Sequence, residues 1–506
     1  MNSNSRRIAK NTLLLYVRML FTMAISLYTS RVVLNTLGVT DYGIYNVVGG
    51  VVSLFTFLSG SMATATQRYI TFALGSSDGS YLKNVFSTSI LIHALLAFII
   101  IVLAETVGLW FLNNYMRIPE NRMDAAFWVY QFSIFTCVVM LMSVPYNSLI
   151  IANERMQVFA YFSILDVSLK LGIVYVLLVL SFDKLKLYAL LMFVVQLLIR
   201  IVYGLYCKRN FSEAKFCFIY NKALVRNMMG FASWNLFGSV ASITYTQGIN
   251  IILNMFFGPV VNAARGVAVQ VQGVVSGFCA NFQTAINPQI TKSYAKSDFE
   301  YMHKLVFQSS KYSYFLVLLL SMPLFLETDM ILTCWLKVVP EHTVNFLRLI
   351  LCSVLIETLA NSMMISVQAT GNIKTYQIVV GGLLLFILPV SYIALKIGMA
   401  PEAVFVVYVF FSLIAQVFRV QLVSKMISLS KKTYYKEVLL PILKVTVLAS
   451  VVPLVSTFFL PRDIVGAISV CLLCVLFSAL VIYTVGCDRN EKTFIRQFVV
   501  RILKHG

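Results

Sequence analysis

Residues 38–75 read GVTDYGIYNVVGGVVSLFTFLSGSMATATQRYITFALG, and residues 258–295 read GPVVNAARGVAVQVQGVVSGFCANFQTAINPQITKSYA. Set side by side at a constant offset of 220, they share Gly38/Gly258, Val47/Val267, Val51/Val271, Thr64/Thr284, Ala65/Ala285, Ile70/Ile290 and Thr71/Thr291. Just upstream, Leu34-Asn35 matches Leu253-Asn254 at offset 219. Each stretch is apolar enough and long enough to cross a bilayer, yet carries Gly, Ser, Thr, Asn and Gln at helical spacing. The match places the first and second spans of the chain on the seventh and eighth. An even shift of six keeps both copies in the same orientation, which defines a parallel repeat. Two-lobed transporters with a substrate path between the lobes are built this way.

The rest of the chain fits that frame. Of 506 residues, 59% are hydrophobic and only 12% are charged, about half the usual share in soluble proteins. Mean hydropathy is +0.84. The chain holds fourteen candidate spans, from about 11–37 and 42–73 to about 438–460 and 464–486, each near the length a bilayer requires. The predicted fold is therefore an all-α polytopic membrane protein with about 14 transmembrane helices. Two six-helix lobes, residues 1–207 and 208–426, are followed by two extra helices and a basic tail in 427–506.

The chain carries 40 Lys+Arg against 20 Asp+Glu. An excess of +20 invites a nucleic-acid reading, but the basic residues lie between apolar runs, where they act as topology signals, and no nucleic-acid partner is expected. With the N-terminus inside, inner segments collect 23 Lys/Arg and outer loops only seven, among them Arg122 and Lys337. That asymmetry puts both termini in the cytoplasm. The N-terminal MNSNSRRIAK and the apolar stretch after it read as an uncleaved first helix, since the stretch is too long for a signal peptide and contains Arg18.

Charge inside a span is costly and marks functional candidates. On the first span Arg18, Thr22 and Thr29 share one helical face; on the second, Asn46, Ser61 and Arg68 do. The eighth span repeats the polar stripe with Gln270 and Asn281, and adds Arg265 near its outer end; Arg348 lies about two turns into the tenth. Small and polar residues also suit helix packing, but a guanidinium needs water or an anion. Arg31, Arg200 and Arg419 lie near span ends and are expected to snorkel. Asp166 and Lys170, four apart on the fifth span, can neutralise each other, and Asp166 is, with Glu357, a candidate for ion coupling. Glu357 sits mid-span with Ser353, Asn361 and Gln368 on its face and no base one turn away. It can exchange protons, hold a cation, or pair with an arginine from another helix.

Enzyme signatures are missing from the sequence. His93, His303, His342 and His505 have no companions at metal spacing, and there is no phosphate-binding loop and no G-x-S-x-G. Cys471 and Cys474 form a C-x-x-C inside an apolar run and read as small hydrophobes. No metal and no cofactor are expected. With no ATP site, directional movement would draw on a proton or sodium gradient, the membrane potential or removal of product.

Three stretches carry a family resemblance. They are RRIAKNTLLLYVRMLFTMAISLYTSRVVLNTLGVTDYGIYNVVGGVVSLF from Arg6, INPQITKSYAKSD from Ile286, and ILTCWLKVVPEHTVNFLRLIL from Ile331. In this order the chain resembles the Wzx-type polysaccharide flippases of the MOP exporter superfamily, relatives of the lipid II flippases, over nearly its whole length. The resemblance implies two lobes around a central cavity and movement of undecaprenyl-pyrophosphate-linked oligosaccharide from the cytoplasmic to the periplasmic leaflet of a bacterial inner membrane, for O-antigen or capsule. It implies membrane lipids, a periplasmic-side polymerase and a chain-length regulator as partners. Lipid II flippases line their cavity with arginines of helices 1, 2 and 8, where Arg18, Arg68 and Arg265 fall here. Those that bind sodium use acids on helices 7 and 11; here the seventh span offers Asn235 and the eleventh has no acid. A multidrug exporter of the same superfamily, favouring an acid-rich cavity, and a membrane polymerase or ligase, requiring a large charged outer loop, are the alternative functions.

Overall fold

The computed structural model describes residues 3–53, 56–76, 78–116, 118–180, 182–214, 217, 221–336, 338–461, 463–489, 491–493 and 496; certain side chains within these, including those of Arg31 and Asn46, lie outside the described residues. Fourteen long helices follow one another. They are α1 Ser3–Ser53, α2 Thr56–Gly75, α3 Gly79–Asn114, α4 Met123–Ala152, α5 Met156–Val179 and α6 Lys184–Asn210. Then come α7 Lys222–Phe257, α8 Pro259–Ala295, α9 Phe299–Leu326, α10 Thr343–Thr370, α11 Lys374–Lys396, α12 Ala403–Met426, α13 Lys431–Phe459 and α14 Ile464–Gly486.

The repeat is written into the backbone. α1 is broken at Gly38, with φ 81° and ψ 165°, and Gly258, 220 residues on, precedes α8 with φ 77° and ψ −170°. Only glycine adopts that conformation without strain, which explains why this identity lies at the break between the first two spans of each copy, inside α1 in the first and between α7 and α8 in the second. The match also reaches beyond the aligned stretch. Asp78 caps α3 by accepting from the Tyr81 amide, and Asp298 caps α9 by accepting from the Tyr301 amide, again 220 apart. These side-chain oxygens satisfy amides that the helix itself leaves open.

Packing follows the same plan in both copies. α4 packs against α2, α3 and α6, and α10 packs against α8, α9 and α12. The core around α4 contains Ile100, Leu112, Val129, Tyr130, Ile134 and Leu141; that around α10 contains Leu253, Val317, Phe346, Leu351 and Val404. α13 and α14 pack against each other and against α9. The chain divides into two compact units, Ile8–Leu236 and Phe237–Gly506, the latter counted with Met1–Arg7.

Among the described residues, twelve helices are long and apolar enough to cross a membrane. α8 lies outside that set because its polar stripe lowers the hydropathy, although its length matches a bilayer.

Candidate functional site

In the N-terminal unit, Arg18 is half-buried on α1. Its Nη1 donates to Ser163 Oγ of α5 at 3.3 Å, and its guanidinium lies 4.7 Å from the centre of the Phe159 ring. Asp166, one turn beyond Ser163, accepts from Lys170 Nζ at 2.7 Å, as their spacing predicts. Thr22 Oγ1 donates to the Met19 carbonyl of its own helix, whereas Thr29 Oγ1 and Ser61 Oγ are buried without a hydrogen-bond partner among the described residues. Arg68 sits over aromatic faces, 4.5 Å from Tyr69, 4.8 Å from Phe72 and 5.9 Å from Phe231. The side chain of Asn46 lies outside the described residues.

In the C-terminal unit, Arg265 reaches back to α7. It donates to Asn250 Oδ1 at 3.3 Å and to the Thr246 carbonyl at 2.7 Å, while its buried Nε has no partner among the described residues. Both acceptors are neutral. Gln270 is exposed, and Asn281 donates to Gly277 O within α8. Arg348 caps the end of α9, donating to the Phe325 carbonyl at 3.1 Å, Thr328 Oγ1 and Asp329 Oδ2. Its geometry is that of a helix anchor.

Glu357 is the centre of a polar cluster. Tyr408 of α12 donates to Glu357 Oε1, and the Tyr408 hydroxyl lies 3.1 Å from that of Tyr245 on α7. Arg419 is close enough to attract the carboxylate. The snorkelling expected of Arg419 is not seen: it is only 7% exposed, turned into the unit, and hydrogen-bonded to Tyr376. Its position near a helix end misleads because neighbouring groups, Tyr376 among them, cover the side chain.

Other polar groups were not singled out by the sequence. Gln283 Nε2 donates to Ser313 Oγ at 3.0 Å and to the Thr358 carbonyl at 3.2 Å, and Asn361 donates to Gln283 Oε1. Lys311 of α9 pairs with Glu491 at 2.7 Å, the side chains 9% and 6% exposed. Glu491 also completes a reciprocal cap with Asp488: each backbone amide donates to the other's carboxylate at 2.8 Å. The partners of both networks come from distant positions, so helical phase alone could reveal only Asn361. Among the described residues, no group of three or more His, Cys, Asp or Glu could hold a metal ion.

Ion pairs also bind helix ends. Arg122, just before α4, donates to both carboxylate oxygens of Asp41, at 2.9 and 2.6 Å, and to both of Asp183, at 2.8 and 3.2 Å. Asp183 in turn caps α6 through the Leu185 and Lys186 amides. Partial burial pushes the Asp183 carboxyl up, but Arg122 and those amides outweigh it and hold the group below its ordinary value. A depressed folded-state pKa gives stability that is present above the ordinary carboxylate range and lost as pH falls through the depressed value. Arg122→Ala is expected to cost about 1–2 kcal/mol at pH 7, after allowance for solvent screening. Unfolding in detergent across pH 3–7 should also show a weaker acid dependence for this variant than for wild type; equal curves would reduce the clamp to a surface contact.

The chain is thus a helical membrane protein with guanidinium and carboxyl groups set inside its spans. Residues 8–294, more than half of the chain, match the family described as polysaccharide biosynthesis protein, and the chain belongs to that family. No curated protein matches it. Among solved structures it is similar to a MATE transporter in the bent conformation, with 12% identity, TM-score 0.72, and coverage of 86% of this chain and 99% of that one. A multidrug resistance MATE family transporter of the MOP superfamily in an outward-facing conformation gives 13%, 0.70, 83% and 96%. A MOP superfamily transporter from Pyrococcus furiosus, described as having a binding pocket of reverse polarity, gives 14%, 0.67, 83% and 96%. The fold is thus MATE-like, and the chain is that of a multi-pass membrane protein.

Proposed function

We propose that the protein flips undecaprenyl-pyrophosphate-linked oligosaccharide from the cytoplasmic to the periplasmic leaflet of a bacterial inner membrane by alternating access, feeding a periplasmic polymerase and its chain-length regulator. The observation that carries the reading is Arg265, a half-buried guanidinium within a span whose acceptors are both neutral. A fixed cation of this kind calls for an anion, and a pyrophosphate accepts two parallel N–H bonds from one guanidinium. The other unit, by itself, also carries positive charge within its spans at Arg18 and Arg68, and buried hydroxyls of the kind sugars bond at Thr29 and Ser61. Membership of a polysaccharide biosynthesis family supports the substrate class, and the 23-to-7 bias of basic residues supports cytoplasmic termini.

Transport is coupled, in this reading, to the proton gradient through Glu357, whose carboxyl shares a hydrogen bond with Tyr408 and lies near the fixed charge of Arg419. A second reading, export of organic cations, is favoured by the likeness to a multidrug transporter and by the aromatic hydroxyls around Glu357.

In proteoliposomes, Arg265→Ala should slow flipping of pyrophosphate-linked oligosaccharide about ten- to a hundredfold, the equivalent of one or two charge-assisted hydrogen bonds. Arg265→Lys should recover part of that loss. Flipping at the wild-type rate by the alanine variant, together with efflux of an organic cation dye, would favour the second reading.

A further inference from the structure

The two copies of the repeat differ in one chemical respect. Subtracting 220 from Glu357, Asn361, Ser362, Gln283, Ser310 and Lys311 gives Cys137, Leu141, Met142, Ala63, Ile90 and Leu91. At these six positions the N-terminal unit carries thiol, thioether or hydrocarbon side chains, whereas the counterparts of Ser309, Ser313, Tyr408 and Gln416 are the polar Ser89, His93, Tyr188 and Gln196. Burying amides, hydroxyls and charges where hydrocarbon would pack is costly, and a buried ion pair gains little over apolar residues of equal volume. Stability does not account for such a set.

Its members form four separate hydrogen-bonded groups along the unit. Tyr408 donates to Glu357. One turn along α10, Asn361 donates to Gln283, which donates to Ser313 Oγ at 3.0 Å. One turn back on α9, Ser310 Oγ lies 2.6 Å from Ser362 Oγ. The next residue is Lys311, whose Nζ meets Glu491 at 2.8 and 2.7 Å. Lys311 and Glu491 line an open cleft of about 930 Å3, with Lys304, Gln308, Lys436 and Asp488 on its walls. Beside these groups, Ser309 Oγ, Gln416 Oε1, and Nε and Nη1 of Arg419 are buried with no hydrogen-bond partner among the described residues. Polar atoms so placed are ordinarily satisfied by internal water.

We propose that the C-terminal unit contains a hydrated polar path from the Lys311–Glu491 cleft to Glu357, through which protons reach or leave that carboxyl. The proposal deepens the coupling reading of Glu357 and rests on it. The charged and titratable groups facing Glu357 are Tyr408, Tyr245 and Arg419; those facing Lys311 are Glu491, Tyr312 and Cys487. Within the path, the Lys311–Glu491 pair borders the cleft, and the serine, asparagine and glutamine groups order the water between it and Glu357.

Two measurements separate the path from the coupling. In a full-length chain freed of its native cysteines, single cysteines replace Ser310 and Asn361 in one unit, or Ile90 and Leu141 at the same places in the other. Aminoethyl methanethiosulfonate should modify the first pair at least about tenfold faster than the second, since only a hydrated site supports the thiolate. Equal, slow labelling of all four would overturn the path whatever Glu357 does. The second measurement is proton flux during flipping, read by a trapped pH dye. Ser310→Ala with Ser362→Ala should reduce flux about fivefold or more while substrate binding holds, because both relay hydroxyls are lost and no atom is added to a fully buried site. Unchanged flux in that variant would remove the proton role. Gradient-independent flipping by wild type would instead sink the coupling reading, and the proton role of the path with it, leaving the labelling result to stand alone.

Discussion

Lys311→Met is expected to destabilise the C-terminal unit by about 3–5 kcal/mol, because it strands the Glu491 carboxylate inside the protein without its counter-ion. The pair is only 9% and 6% exposed, so water cannot replace the lost ammonium in full. Glu491 is also half of the reciprocal cap with Asp488, and losing its fixed position loosens the segment after α14. The double variant Lys311→Met with Glu491→Met should regain most of the loss, since two apolar side chains need no partners. Thermal unfolding of the purified protein measures both. If the single variant unfolds within about 1 kcal/mol of wild type, the pair behaves as a surface contact and the burial is not felt.

The second large effect is on transport. Glu357→Gln keeps the shape of the side chain and its capacity to accept from Tyr408, but it cannot carry a proton. Flipping in proteoliposomes should then lose its response to an imposed pH gradient, while substrate still binds. The contrary result is equally definite. If Glu357 only balances Arg419, then Glu357→Gln leaves a buried guanidinium without its neighbouring charge, lowers stability, and the residual transport keeps its original gradient dependence.

The helices were legible because apolar runs of about twenty residues leave few other options, and because Gly38 and Gly258 occupy a conformation that other residues resist. The Asp166–Lys170 pair was legible for a similar reason, its partners being four residues apart on one helix. Contacts between helices were not. Lys311 and Glu491 are 180 residues apart, and nothing in either helix's own periodicity joins them. Arg419 was misjudged because depth along a helix was taken to set its environment, whereas the neighbouring groups that cover the side chain do. Arg348 could be placed near a span end, but its role in capping α9 depended on a turn the sequence did not reveal. The same limit held for Gln283, whose acceptors lie on two neighbouring helices.

One polar helix has a consequence for how the chain is made. Among the described residues, α8 falls outside the set apolar enough to span by length and composition, so the translocon gains little from releasing it alone into lipid. It follows α7 across a single glycine break at Gly258. A break that short leaves no loop to be exported or retained independently. The polar helix therefore enters the bilayer as the second arm of a hairpin, shielded by the arm before it. Lengthening this glycine turn with a flexible insert would uncouple the arms during synthesis, and failed insertion would precede any defect in the mature protein.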